Sequence, residues 1–161
     1  MQARKNIRTD TGHRTYAWVR WLLVLAWALF IWSRSLFAGP ESNMQSDAVV
    51  HVVRPVFEFN GISDVTIMSF VVRKSGHFLE YAVLGGLLAT TAERGEDPAL
   101  VRAHWLPAAF VALADEALQL FVPGRTGKLS DSLLDCVGAL VGFCLVFLVL
   151  SAVFRRLGRR A

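Results

Sequence analysis

Trp21 to Trp32 is an unbroken apolar run, and three other stretches approach it in length and character. A bilayer core asks for about 20 mostly apolar residues per helix. Residues 17–37, 75–91, 99–122 and 132–154 answer that description. The second stretch is closed by the polar Glu93-Arg-Gly-Glu-Asp-Pro98, and apolar residues 65–72 let its helix begin near Ser63. The third ends at Pro123-Gly124, a strong helix stop. Trp18, Trp21 and Trp32 suit the aromatic belts of a membrane interface. A basic stretch before an apolar run is also the layout of a secretory signal. Here Leu36 and Phe37 stand where cleavage needs small residues, so the first stretch reads as an anchor that stays. The expected fold is therefore all-α, a four-helix transmembrane bundle. A short interfacial helix is expected in 39–74, where apolar residues alternate with polar ones.

Composition agrees. Hydrophobic residues make up 54% of the chain before glycine is counted, and charged residues only 19%. Ordinary soluble domains hold roughly 45–50% apolar residues with glycine included, so a disordered or water-soluble chain is excluded. A nucleic-acid partner is excluded too, because no broad basic face can be built. The basic residues sit instead at the ends. The first twenty residues hold five of them against one acid, and the last seven hold four arginines. With both termini cytoplasmic, eleven basic residues fall inside and six outside, as the positive-inside rule asks. The expected divisions are a basic cytoplasmic tail (1–16), the membrane domain (17–154) and a second basic tail (155–161). Cys136 and Cys144, eight apart on one helix, lie about 12 Å from each other and cannot form a disulfide.

Ionisable groups inside spans are costly and mark function by default. In the orientation above they all gather at the outer end. Arg34 closes the first span; Lys74, His77, Glu80 and Tyr81 open the second; Asp115, Glu116 and Gln119 close the third. Arg125 and Lys128 sit on the outer hairpin, and Asp131 and Asp135 open the fourth. Lys74, His77 and Tyr81 share one helix face, and Asp115, Glu116 and Gln119 can point into one cavity. Gly138 and Gly142 allow a close helix neighbour. Simpler duties exist for some. Asp131 and Asp135 can serve the start of a helix, Arg34 can snorkel, and His77 and Tyr81 can be interfacial. Asp115-Glu116, two turns inside a span, has no capping duty. Its structural alternative is an ion-paired network with Arg125, Lys74 or Arg34.

Three blocks of these residues resemble the VanZ-like family of small bacterial membrane proteins. They are Phe30-Ile-Trp-Ser-Arg-Ser35 with Glu41-Ser42 and Gln45-Ser46, then Lys74-Ser-Gly-His-Phe-Leu-Glu-Tyr-Ala-Val-Leu-Gly85. The third is Asp115-Glu-Ala-Leu-Gln-Leu-Phe-Val-Pro-Gly-Arg125, continuing through Ser130-Asp131 and Asp135 to Gly138 and Gly142. The resemblance covers roughly residues 27–145. It implies four transmembrane helices, a place in the bacterial cytoplasmic membrane, and a namesake linked to resistance against the glycopeptide teicoplanin. It carries no reaction. Asn is common in the family where this chain has Asp135, and the long basic N-terminus is not a family mark.

Cations facing acids at head-group depth point to a site that binds an anionic envelope lipid or lipid-linked precursor, with modification as its stronger form. Arg125, Lys74 and Arg34 would hold the phosphate or carboxylate, with Gln119, Tyr81, Glu80, Asp131 and Asp135 completing the site. Glu116 or Asp115 would act as general acid or base, and His77 as proton relay. His77 and the acids supply enough ligands for a divalent ion. No spacing matches a zinc motif, though, and the neighbouring Arg and Lys oppose a cation. Neither metal nor cofactor is expected. The other classes are a small proton-coupled transporter and a structural protein whose charges only join helices. Oligomeric state has no signature in the sequence.

Overall fold

A computed structural model describes residues 3–36, 39–92, 96–125 and 127–158. The extreme ends of the two basic tails, Phe37 at the expected end of the first span, and Arg94 lie outside them. The described residues are all-α, with six helices: α1 (Ala3–Ser35), α2 (Gly39–Phe59), α3 (Val65–Ala89), α4 (Pro98–Ala103), α5 (Leu106–Gln119) and α6 (Leu129–Gly158). A helix, α2, stands in the segment where a short interfacial one is expected, but at 21 residues it is not short. It turns at Gly61, whose φ of 78° favours glycine. Asp64 then caps α3 by accepting from the Thr66 amide at 2.7 Å.

The third expected span is not one helix. It breaks at His104-Trp105 between α4 and α5, and Pro107 stands in the first turn of α5. Proline has no amide hydrogen to donate backward and its ring clashes with the preceding turn. The α5 piece has 14 residues, about 21 Å, so it needs α4 to approach the roughly 30 Å of a bilayer core. It also stops at Gln119, three residues before the expected end.

Among the described residues two helices are long and apolar enough to cross a membrane, over Ala17–Ser35 and Leu129–Leu157. Only 17% and 22% of an apolar 18-residue stretch in each is buried within the chain, unlike the core helix of a soluble protein. α3 is 25 residues long, yet Arg73, Lys74 and Glu80 interrupt its apolar surface. Among the described residues it carries much of the polar cluster.

Pair contacts set the helix directions. Arg20 donates to the Thr90 carbonyl (2.7 Å) and Trp27 to the Glu80 carbonyl (2.8 Å), so α1 and α3 are antiparallel. Trp32, expected in an interfacial belt, is instead half-buried and donates to the Val111 carbonyl of α5 (3.2 Å). The core between these helices is small and aliphatic, with Ala28 and Ile31, Leu84 and Leu88, Ala108 and Ala112, and Ala139. Against α6, α3 packs parallel and very closely. A Cβ at Gly85 would overlap the Ala139 carbonyl, and one at Gly142 would overlap that of Ala82. A Cβ at Gly138 would lie 2.5 Å from the Phe78 carbonyl oxygen. Two glycines of α6 and one of α3 thus let the backbones touch, and this contact fixes the register that the polar residues inherit.

Candidate functional site

Beside the Gly138–Phe78 contact stand His77, next to Phe78 on α3, and Asp135, three residues before Gly138 on α6, with His77 Nδ1 3.8 Å from Asp135 Oδ1. A further turn out, Lys74 Nζ meets Asp131 Oδ1 at 2.5 Å. From α5, Asp115 and Glu116 enter the same volume, and the nearest donor atoms of His77, Asp115 and Asp135 all lie within 4.8 Å of one another. From α1, Arg34 Nε reaches Glu80 Oε1 at 2.8 Å. Four helices therefore deliver the eleven residues singled out in the sequence, Arg125 excepted, to one end of the bundle.

The pairing inside the cluster is not the expected one. Arg34 and Lys74 do not neutralise Asp115-Glu116; they are engaged with Glu80 and Asp131. Glu116 instead accepts the Lys128 backbone amide at 2.5 Å, which ties the end of α5 to the approach of α6. Gly127 makes room for this, since a Cβ there would lie 2.6 Å from the Glu116 carbonyl oxygen. Asp131 sits in the first turn of α6, as a helix-start acid should. Asp135 does not. It is fully buried one turn deeper, and neither of its carboxylate oxygens has a hydrogen-bond partner.

Asp115 is also fully buried. Its Oδ2 accepts from Gln119 Nε2 at 3.2 Å and the buried Ser35 hydroxyl contacts the same carboxyl group, while Oδ1 has no partner. The Tyr81 hydroxyl, Glu116 Oε1 and His77 Nδ1 are likewise buried without partners. Buried polar atoms are nearly always satisfied, and among the described residues this cluster holds six that have no partner within the chain.

A cavity of about 720 Å³ opens beside the cluster, between the end of α1, α2 and the first half of α3. Its lining mixes polar and charged side chains, among them His77, Glu80, Ser35 and the three arginines Arg34, Arg73 and Arg125, with apolar ones such as Val53, Phe57 and Leu79. In the loop, burial lowers the Arg125 guanidinium from its ordinary range; Asp115 and Glu116 pull it back up, and Arg73 and Arg34 push it down. Lys74 also stacks over Phe70 at 5.6 Å and Arg34 over Phe30 at 6.0 Å, which holds both cations at the apolar margin.

Sequence reasoning missed three contributors. Ser35 lies within the first motif block but was eclipsed by Arg34. Arg73 adjoins Lys74, and its helical position one residue earlier turns it toward α2. Ser132 is buried beside the Ala112 carbonyl (3.4 Å), and only the α5–α6 packing reveals it.

No curated protein and no solved structure gives a significant match to this chain. The family model described as VanZ/LLP1 matches residues 20–150, which takes in all three motif blocks and every residue of the cluster. Together with the two apolar helices this fits a membrane protein, and the chain belongs to the VanZ/LLP1 family.

Proposed function

We propose that this chain is a multi-pass protein of the bacterial cytoplasmic membrane whose outer end binds an anionic envelope lipid or lipid-linked precursor. Four crossings are assigned, by α1, α3, α4 with α5, and α6, with residues 1–16 and 155–161 at the cytoplasmic leaflet. The alternating directions of these elements and the excess of basic residues at the two ends support that topology. The expected depth of the polar cluster is then the outer head-group region.

The observation that carries the reading is the mixed lining of the cavity. Arginines together with aliphatic and aromatic side chains match an amphiphile with an acidic head and an acyl or prenyl tail. Guanidinium groups bind phosphate in a bidentate fork. The polar contents of the cavity are ill suited to a neutral apolar guest.

The test is binding of phosphatidylglycerol against phosphatidylcholine by the purified chain in nanodiscs, for wild type, Arg125→Ala and Arg73→Ala. A charge-assisted contact is worth about 1.5–3 kcal/mol, so either variant should lose roughly ten-fold or more of the preference for the anionic lipid. Unchanged preference in both overturns the reading. The namesake role extends the same proposal. Wild type should protect a teicoplanin-susceptible host, and Glu116→Gln at equal membrane level should not.

A further inference from the structure

The orphaned atoms in the cluster are not distributed at random. His77 Nδ1, Asp115 Oδ1 and both oxygens of Asp135 all lack partners, and they belong to three different helices that converge within 4.8 Å. Two buried carboxylates at that separation repel one another and have lost their water. Of the cations nearby, Lys74 is paired with Asp131 and Arg34 with Glu80, while Arg125 attracts Asp115 and Glu116 from the loop. The Gln119 amide bonds Asp115 Oδ2, and Oδ1 has no hydrogen-bond partner.

We propose that His77, Asp115 and Asp135 form a binding site for a divalent transition-metal ion. One imidazole nitrogen and two carboxylates are a donor set for zinc or manganese, rather than for the all-oxygen shells of calcium and magnesium. A doubly charged ion balances both acids and gives His77, Asp115 and Asp135 the partner that their donor atoms lack. Bond lengths near 2.0–2.2 Å require the donors to close by about an ångström, within the reach of side-chain rotation alone. The supporting features of a metal centre are present. Gln119 and the Ser35 hydroxyl orient Asp115 from behind. The glycine contacts between α3 and α6 hold His77 opposite Asp135 whether or not an ion is bound. His77 also lines the large cavity, which supplies a way in from solvent. The objection from neighbouring cations falls for Lys74 and Arg34, because each already faces another acid. Nothing in the proposal depends on what the cavity binds.

The experiment uses untagged full-length protein in detergent, stripped with EDTA and passed through gel filtration. It is reloaded separately with Zn²⁺, Mn²⁺, Mg²⁺ or Ca²⁺, and elemental analysis gives the ratio of metal to chain. Zn²⁺ or Mn²⁺ should be retained at about one ion per chain and raise the melting temperature; Mg²⁺ and Ca²⁺ should do neither. Asp135→Asn and His77→Ala should weaken binding roughly 100-fold or more, while His51→Ala, an exposed histidine of α2, should bind as wild type. Co²⁺ added to wild type should give visible ligand-field absorption that Zn²⁺ displaces, a readout that stands even if a variant does not fold. Monodisperse wild type that retains none of the four ions overturns the site. Retention unchanged in both Asp135→Asn and His77→Ala overturns it as well.

Discussion

The two ends of the bundle each hold a histidine and treat it oppositely. At the end where α3 finishes and α4 begins, His104 Nδ1 meets Thr91 Oγ1 at 2.7 Å and its Nε2 meets Glu96 Oε1 at 2.8 Å. Trp21 stacks on the ring at 6.4 Å, and Thr91 itself bonds the Leu88 carbonyl. Both ring nitrogens and the Thr91 hydroxyl have partners, so the arrangement works as a clasp that pins α4 to α1 and α3 beside the break between α4 and α5. At the other end His77 faces Asp135 across 3.8 Å without a hydrogen bond, among acids that are equally unpartnered. Both histidines are in partly buried, mixed surroundings. One end is optimised for stability, and the other keeps groups that stability alone would have removed.

Several substitutions would break or sharpen that contrast. The largest effect should come from what both ends depend on, the α3–α6 contact. Gly142→Val drives a side chain into the Ala82 carbonyl and should remove about 3 kcal/mol or more, seen as loss of monodisperse protein after extraction. Next comes the clasp. His104→Ala removes the ring contacts to Thr91 and Glu96 and should lower stability by about 2 kcal/mol, whereas His77→Ala should lose less than half as much; chemical denaturation of both in detergent compares them. A reversed order would mean that the His77 end is the structural one.

Within the His77 end the acids should divide. Lys74→Met leaves Asp131 without its partner and should cost about 1 kcal/mol. Asp135→Asn, by contrast, removes a buried charge that no donor serves and should raise the metal-free melting temperature by a few degrees. Scanning calorimetry of the two variants after chelation decides this, and equal losses would make Asp135 a structural residue. The smallest effect is the baseline. Arg54 and Glu58 form an exposed i,i+4 pair on α2 at 2.7 Å, and Glu58→Gln should shift stability by no more than about 0.5 kcal/mol.

Much of the site was legible before any coordinates. Spacing put Lys74, His77 and Tyr81 on one helix face, and the placement of charge near the same end of each apolar run brought α1, α3, α5 and α6 together. What spacing could not supply was the pairing. Arg34, Lys74 and Arg125 were equal candidates to balance Asp115-Glu116, and two of them went to Glu80 and Asp131 instead, because partner choice depends on helix rotation and register. The run 99–122 is long and mostly apolar and so reads as one helix, although Pro107 marks the break at His104-Trp105.

The sequence by itself determined the helical class, the apolar surface, the basic ends and the family motifs, since these follow from composition, period and local chemistry. Only the tertiary structure decided that Asp135 is an orphan rather than a helix-start acid, that Ser35 and Gln119 stand behind Asp115, and that three helices aim unpartnered donors at one point. Such facts lie in distances between elements far apart in the chain. Here they are set by three glycines that let α3 and α6 touch, and a glycine in a sequence does not say which helix will come to meet it.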